Sequence, residues 1–156
     1  MEGFNALEVV EMAIRTERLG AEYYNELADK FKDNKEFSEL FFKLGERELV
    51  HEKMFTKLKE SIGEEEYEGW ADVSEYMRAY VQSAFFIGRE KALPHMNNIQ
   101  NVNAAVRLAL SFERETLLYF YGVREGVENK VIVDDIIKEE MGHIFWLSRY
   151  ITTLGV

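Results

Sequence analysis

An all-α bundle of four long helices, with one long crossover between the second and the third, is the fold this sequence predicts. Three observations predict it. Apolar residues recur at helical spacing in four stretches of around 25 residues. Short polar links join the first stretch to the second and the third to the fourth, and 38 residues separate Ile62 from Asn101. No run of strict apolar and polar alternation is long enough to argue a sheet. At 156 residues the chain suits one domain spanning 1–156.

The first helix starts at Asn5, with Glu8 three residues on as the partner of a capping box, and carries Leu7, Val10, Ile14, Ala21, Tyr24, Ala28 and Phe31. The polar residues 33–35 stop it. The second runs from about Asn34 to Ile62 through Phe37, Phe41, Leu44, Phe55 and Leu58, with Gly63 as its stop. The third begins near Asn101 and carries Val102, Ala105, Ala109, Thr116, Phe120 and Val123 before Gly126. The fourth, from about Asn129, shows Val133, Ile136, Leu147, Tyr150 and Leu154 and stops at Gly155. Helices of this length reach about 37 Å, the scale of a four-helix bundle, and their short links make two antiparallel hairpins. The crossover is long enough to travel the bundle. Within it, Val73, Tyr76, Met77, Tyr80, Val81 and Phe85 have helical spacing and predict a shorter extra helix packed on the bundle or at a subunit contact.

Every stripe is interrupted near its middle by ionisable residues. Glu17 lies between Ile14 and Ala21, Glu48 and His51 between Leu44 and Phe55, Glu113 between Ala109 and Thr116, and Glu140 and His143 between Ile136 and Leu147. Residues three apart share a helix face, so each Glu-x-x-His pair projects together. Burying one unpaired carboxylate costs several kcal/mol, against a net domain stability of about 5–15 kcal/mol. Four such groups need a shared partner. Two divalent cations balance four carboxylates, and neutral imidazoles complete the shell. One Glu from each of two helices and a Glu-x-x-His from each of the other two is the ligand pattern of di-iron carboxylate bundles. Oxygen-rich ligation with two imidazoles suits iron, with manganese the other candidate, over structural zinc. Glu48 and Glu140 are the expected bridges, and Glu17 and Glu113 the terminal ligands.

The two hairpins also repeat each other weakly. Ala13-x-x-x-Glu17-Arg18 with Tyr23 aligns with Ala109-x-x-x-Glu113-Arg114 with Tyr119, which predicts a pseudo-twofold axis through a metal pair.

Charge and composition restrict the partners. A formal net charge of −10 repels nucleic acid and anionic membranes. No basic leader with an apolar core, and no apolar run near the roughly 18 residues of a membrane span, is seen, so a cytoplasmic protein is expected. The absence of cysteine excludes disulfides, iron–sulfur clusters, thiolate zinc sites and thiol nucleophiles.

At Glu17, Glu48, His51, Glu113, Glu140 and His143 the chain resembles the rubrerythrin-like members of the ferritin-like di-iron carboxylate superfamily, over essentially its whole length. The resemblance implies a ferritin-like bundle that reduces hydrogen peroxide or dioxygen at two irons. Tyr24, seven residues after Glu17, matches a tyrosine that rubrerythrins keep near their metals. The chain departs from that pattern in two respects: Thr116 stands where rubrerythrins carry an additional glutamate, and there is no cysteine-bearing rubredoxin domain. The second implies an external electron-donor protein. Two other functions are open to the same sequence, a ferroxidase or iron-storage protein and a metal-free helical scaffold for a partner protein. Bundles of this size often pair, so a homodimer is expected.

The remaining conspicuous residues read as ordinary. His95 belongs to the surface of the crossover, Trp70 and Trp146 to packing, and the acidic run 63–69 to a solvated linker. Glu139 could replace Glu140, but only Glu140 has a histidine three residues on.

Overall fold

Asparagine starts three of the four long helices that can be followed from end to end in the computed structural model, which describes residues 5–62, 73, 75–77, 79 and 96–153. Helix α1, Ala6–Lys30, opens with the expected capping box: the Asn5 side chain accepts from the Glu8 amide at 2.9 Å and the Glu8 carboxylate accepts from the Asn5 amide at 2.8 Å. Helix α2, Lys35–Glu60, is capped by Asn34. A single 3₁₀ turn, Met96–Asn98, leads into α3, Val102–Glu125, where Asn101 accepts from the Ala104 amide at 2.8 Å. Helix α4 is Lys130–Thr153. There is no strand among the described residues.

Helix α1 runs closely along α2, and α3 along α4, whereas the hairpins face each other, α1 to α3 and α2 to α4, at wider backbone separation. Small residues explain the tight pairing. A Cβ on Gly45 would meet Asn25 Oδ1 at 3.1 Å and the Ala21 carbonyl oxygen at 3.3 Å. Gly45→Leu is therefore expected to push α1 from α2 and cost about 1–3 kcal/mol, read from the midpoint of urea unfolding. An unchanged midpoint would contradict this packing.

The wider seam between hairpins takes the long side chains. At one end Val9, Val10, Phe55, Leu58, Phe120, Val123, Val133 and Ile136 form an apolar block, and at the other Tyr24, Leu27, Phe41, Leu44, Ala105, Ala109, Phe112 and Leu147 form a second. Between them lies the layer of acids and imidazoles. Tyr119 ties the hairpins together by donating to the Val9 carbonyl at 2.8 Å.

The stripes differ from expectation at their edges. Leu7 is exposed and Ile14 half-buried, while Val9, Ala13 and Leu27 are buried instead, because α1 touches both α2 and α3 and so buries a broader face than one stripe. In the crossover, Val73, Tyr76 and Met77 are helical as expected. Met77 is buried against Gly122, where any Cβ would overlap its sulfur, and the Tyr76 hydroxyl donates to the Leu118 carbonyl at 3.4 Å. This segment thus lies on α3. Tyr80, Val81, Phe85, Gly63, Trp70, His95, Leu154, Gly155 and the acidic run 63–69 lie outside the described residues. None of the helices among the described residues is long and apolar enough to cross a membrane.

Candidate metal centre

All six residues singled out at mid-stripe are buried, none more than 2% exposed, and all four helices contribute. They gather in two overlapping groups. Glu17, Glu48, His51 and Glu140 bring one ligand atom each within 4.8 Å of the others, and so do Glu48, Glu113, Glu140 and His143. Glu48 and Glu140 belong to both. This is the placement that two bridging and two terminal carboxylates need.

The imidazoles come from α2 and α4, with their rings stacked 5.7 Å apart between centroids. His51 Nδ1 lies 2.7 Å from Glu140, 3.3 Å from Glu48 and 3.5 Å from Glu17. His143 Nδ1 lies 3.4 Å from Glu140, 3.5 Å from Glu113 and 3.7 Å from Glu48. None of these approaches has hydrogen-bond geometry. Among the described residues, eight buried side-chain oxygens and nitrogens have no hydrogen-bond partner, and all eight belong to these six residues. Buried polar atoms are almost always satisfied, so eight orphans aimed at one centre are the mark of a missing common partner. Four carboxylates and two imidazole nitrogens fit a pair of divalent cations that favour oxygen and nitrogen ligands.

The electrostatics agree. Burial pushes the Glu48 carboxyl well up, with Glu140, Glu17 and Glu113 adding repulsion; burial also raises Glu17, and it raises Glu113 to about 8. Burial opposes charge on the imidazoles too, but the carboxylates beside them win, carrying His51 up to about 11 and His143 to about 10. Glu140 moves the other way: burial raises it, and contacts with Glu113 and both histidines overcome that and hold it below the usual carboxylate range. Without cations the site therefore holds protons in their place.

A pH dependence follows. Glu113 ionises at 4.5 in the unfolded chain and near 8 in the folded one, so its contribution to stability is full below 4.5 and lost as pH rises through 8. The histidine contributions are full below 6.5 and lost through about 10–11. Glu140 is ionised in both states across this window and adds no slope. Melting of the metal-free protein should move to lower temperature from pH 5 to pH 9, while the stabilisation gained from added metal grows, because metal displaces those protons. Melts that rise with pH in the metal-free protein would contradict the assignment.

Further residues complete the surroundings of the six. Tyr24 donates its hydroxyl to Glu113 Oε1 at 2.5 Å, and burial, then the Glu113 charge, keeps its proton on well above the ordinary tyrosine range. Glu139, weighed in the sequence as a substitute for Glu140, is outside the cluster. It accepts from His51 Nε2 at 3.0 Å and from Arg47 Nε at 2.9 Å. Sequence reasoning missed this outer pair, although its signal was present: Arg47 and Glu139 each precede the acid of a Glu-x-x-His, with opposite charges. Trp146 is not core. It is 44% exposed, its ring centroid is 5.8 Å from that of His143, and with Leu40, Lys43 and Tyr150 it lines a surface groove between α2 and α4. Thr116 is buried.

The family model for rubrerythrin matches residues 8–150. Among solved structures, one described as a ferritin-like diiron-carboxylate protein from Thermotoga maritima superposes with a TM-score of 0.73 over 97% of each chain, at 21% sequence identity, which is a likeness of fold. No curated protein matches the sequence. Four helices that converge six acid and imidazole side chains, in a sequence matched from residue 8 to residue 150, belong to a member of the rubrerythrin family.

Proposed function

We propose that this chain binds two iron ions between its hairpins and reduces hydrogen peroxide or dioxygen with electrons from an external donor protein. The observation that carries the reading is the set of eight unpartnered buried ligand atoms, shared between two four-residue groups through Glu48 and Glu140. A metal-free scaffold has no use for such a set, since each orphaned group costs stability.

Glu17, His51, Glu48 and Glu140 would hold one ion, and Glu113, His143, Glu48 and Glu140 the other. Bound as a pair, two ferrous ions would supply the two electrons that reduction of one hydrogen peroxide with two protons to two waters requires, and the external donor would restore them. The chain's own side chains set the conditions. The apolar blocks above and below exclude water, which strengthens every charge interaction inside. Tyr24 holds a proton on its hydroxyl, directed at Glu113 Oε1, and so fixes the orientation of that carboxylate. His51 is oriented by Glu139, which keeps Nδ1 facing the acids.

Metal analysis of purified protein should give near two ions per chain. Ferrous-loaded protein should consume peroxide, and Glu48→Ala should not. Equal peroxide loss in both samples would remove the proposal, and a closed cage in size-exclusion would move it to ferroxidase and storage.

A further inference from the structure

Resting on that two-metal reading, we propose that the two positions are unequal: the Glu17–His51 position takes up metal first and holds it more tightly than the Glu113–His143 position. The six inward residues obey the pseudo-twofold repeat, since Glu17 and Glu113 correspond, as do Glu48-x-x-His51 and Glu140-x-x-His143. The residues that touch them break it in two places.

The first break precedes each bridging acid, where α2 has Arg47 and α4 has Glu139. Glu139 Oε2 accepts from His51 Nε2 and is itself held by Arg47. That bond keeps a ring proton on Nε2, so Nδ1 is the nitrogen that faces Glu17, Glu48 and Glu140 and that a metal takes once it displaces the proton there, and it raises the basicity of Nδ1 as a ligand. The corresponding neighbour for His143 would be Arg47, a guanidinium that cannot accept a hydrogen bond. Among the described residues no hydrogen bond holds His143 Nε2, and Trp146 lies beside the ring instead.

The second break lies seven residues after each terminal acid, where α1 has Tyr24 and α3 has Phe120. The Tyr24 hydroxyl occupies Glu113 Oε1 and draws charge from it. Phe120 has no hydroxyl to offer Glu17, whose Oε1 has no hydrogen-bond partner. Both breaks favour the same position: its histidine is the better donor and its carboxylate gives up no oxygen to a tyrosine.

Titration of the metal-free protein with cobalt(II), followed by visible absorption and calorimetry, tests this. Two steps are expected, separated by about 10–100-fold in affinity, the usual worth of an outer partner to a metal-binding histidine. Glu139→Gln should weaken the first step by a similar factor and leave the second in place. Tyr24→Phe, which frees Glu113 Oε1, should narrow the gap. His143→Ala should keep a tight first equivalent and His51→Ala should lose it, and this comparison stands even if Glu139→Gln fails to fold by circular dichroism. Two equal steps in the native protein, or a tight step that survives His51→Ala and is lost in His143→Ala, would overturn the ordering while leaving the two-metal reading intact. No cobalt binding at all would remove both.

Discussion

Glu48→Gln is expected to abolish tight binding at both metal positions while making the metal-free protein more stable. Glu48 is in both ligand groups, so its loss takes one carboxylate from each position. Outer partners alone are worth about 10–100-fold in affinity, and loss of a shared ligand should exceed that at both positions. The metal-free protein responds in the opposite sense. Glu48 is 1% exposed and surrounded by Glu140, Glu17 and Glu113, which together with burial force its carboxyl well above its ordinary range. A neutral amide of the same shape needs neither buried charge nor proton uptake, and removing that cost is worth on the order of 1–4 kcal/mol. In a chain of this size that raises melting by several degrees, on the scale of about 2–4 °C per kcal/mol. Calorimetric titration and melts of the metal-free proteins check both halves. Retention of two ions at native affinity, or a lower melting temperature for the metal-free variant, would show that Glu48 does something else in the core.

Phe120→Ala should cost about 3–5 kcal/mol, the largest loss expected from a single core truncation here. Phe120 is fully buried in the apolar block at one end of the site, and its ring packs against Phe55 of the other hairpin at 4.8 Å between centroids. The cavity would open in the wider seam, where neighbouring backbones cannot close in without disturbing the ligand layer. Against a total of about 5–15 kcal/mol, the metal-free variant would be marginal at 37 °C. Metal would restore part of the loss, about 2.7 kcal/mol at a hundredfold excess over Kd. The matching truncation of Phe145, 59% exposed on α4, should change stability by no more than about 0.5 kcal/mol. Urea unfolding of both variants, with and without metal, decides the matter; equal effects would mean that the seam is not the centre of the core.

The two experiments exploit different halves of one design. The apolar blocks make the fold stable, and the polar layer between them spends some of that stability to hold ligands in place. Helix positions were legible in the sequence because 3.6-residue periodicity, asparagine caps and short links are local properties, and the cap at Asn5 with Glu8 is an instance. The six inward residues were legible for the same reason: each sits in register with the apolar residues of its own helix, so its burial follows from that helix alone.

Other features depended on how one helix meets another. Glu139 is one residue, about 100°, around the helix from Glu140, and that step carries it from the interior to the boundary between α4 and α2, where Arg47 and His51 stand. Tyr24 finds Glu113 across 89 residues of sequence. Neither pairing can be read from spacing within one helix, because it needs the rotation of two helices about their axes and the offset between them. By itself the sequence determined the helices, their inward faces and the identities of the ligand-type side chains. Only the tertiary structure decided which histidine has an anchored partner and which carboxylate carries a tyrosine proton, since those relations are set by the wide seam between two hairpins distant in the chain.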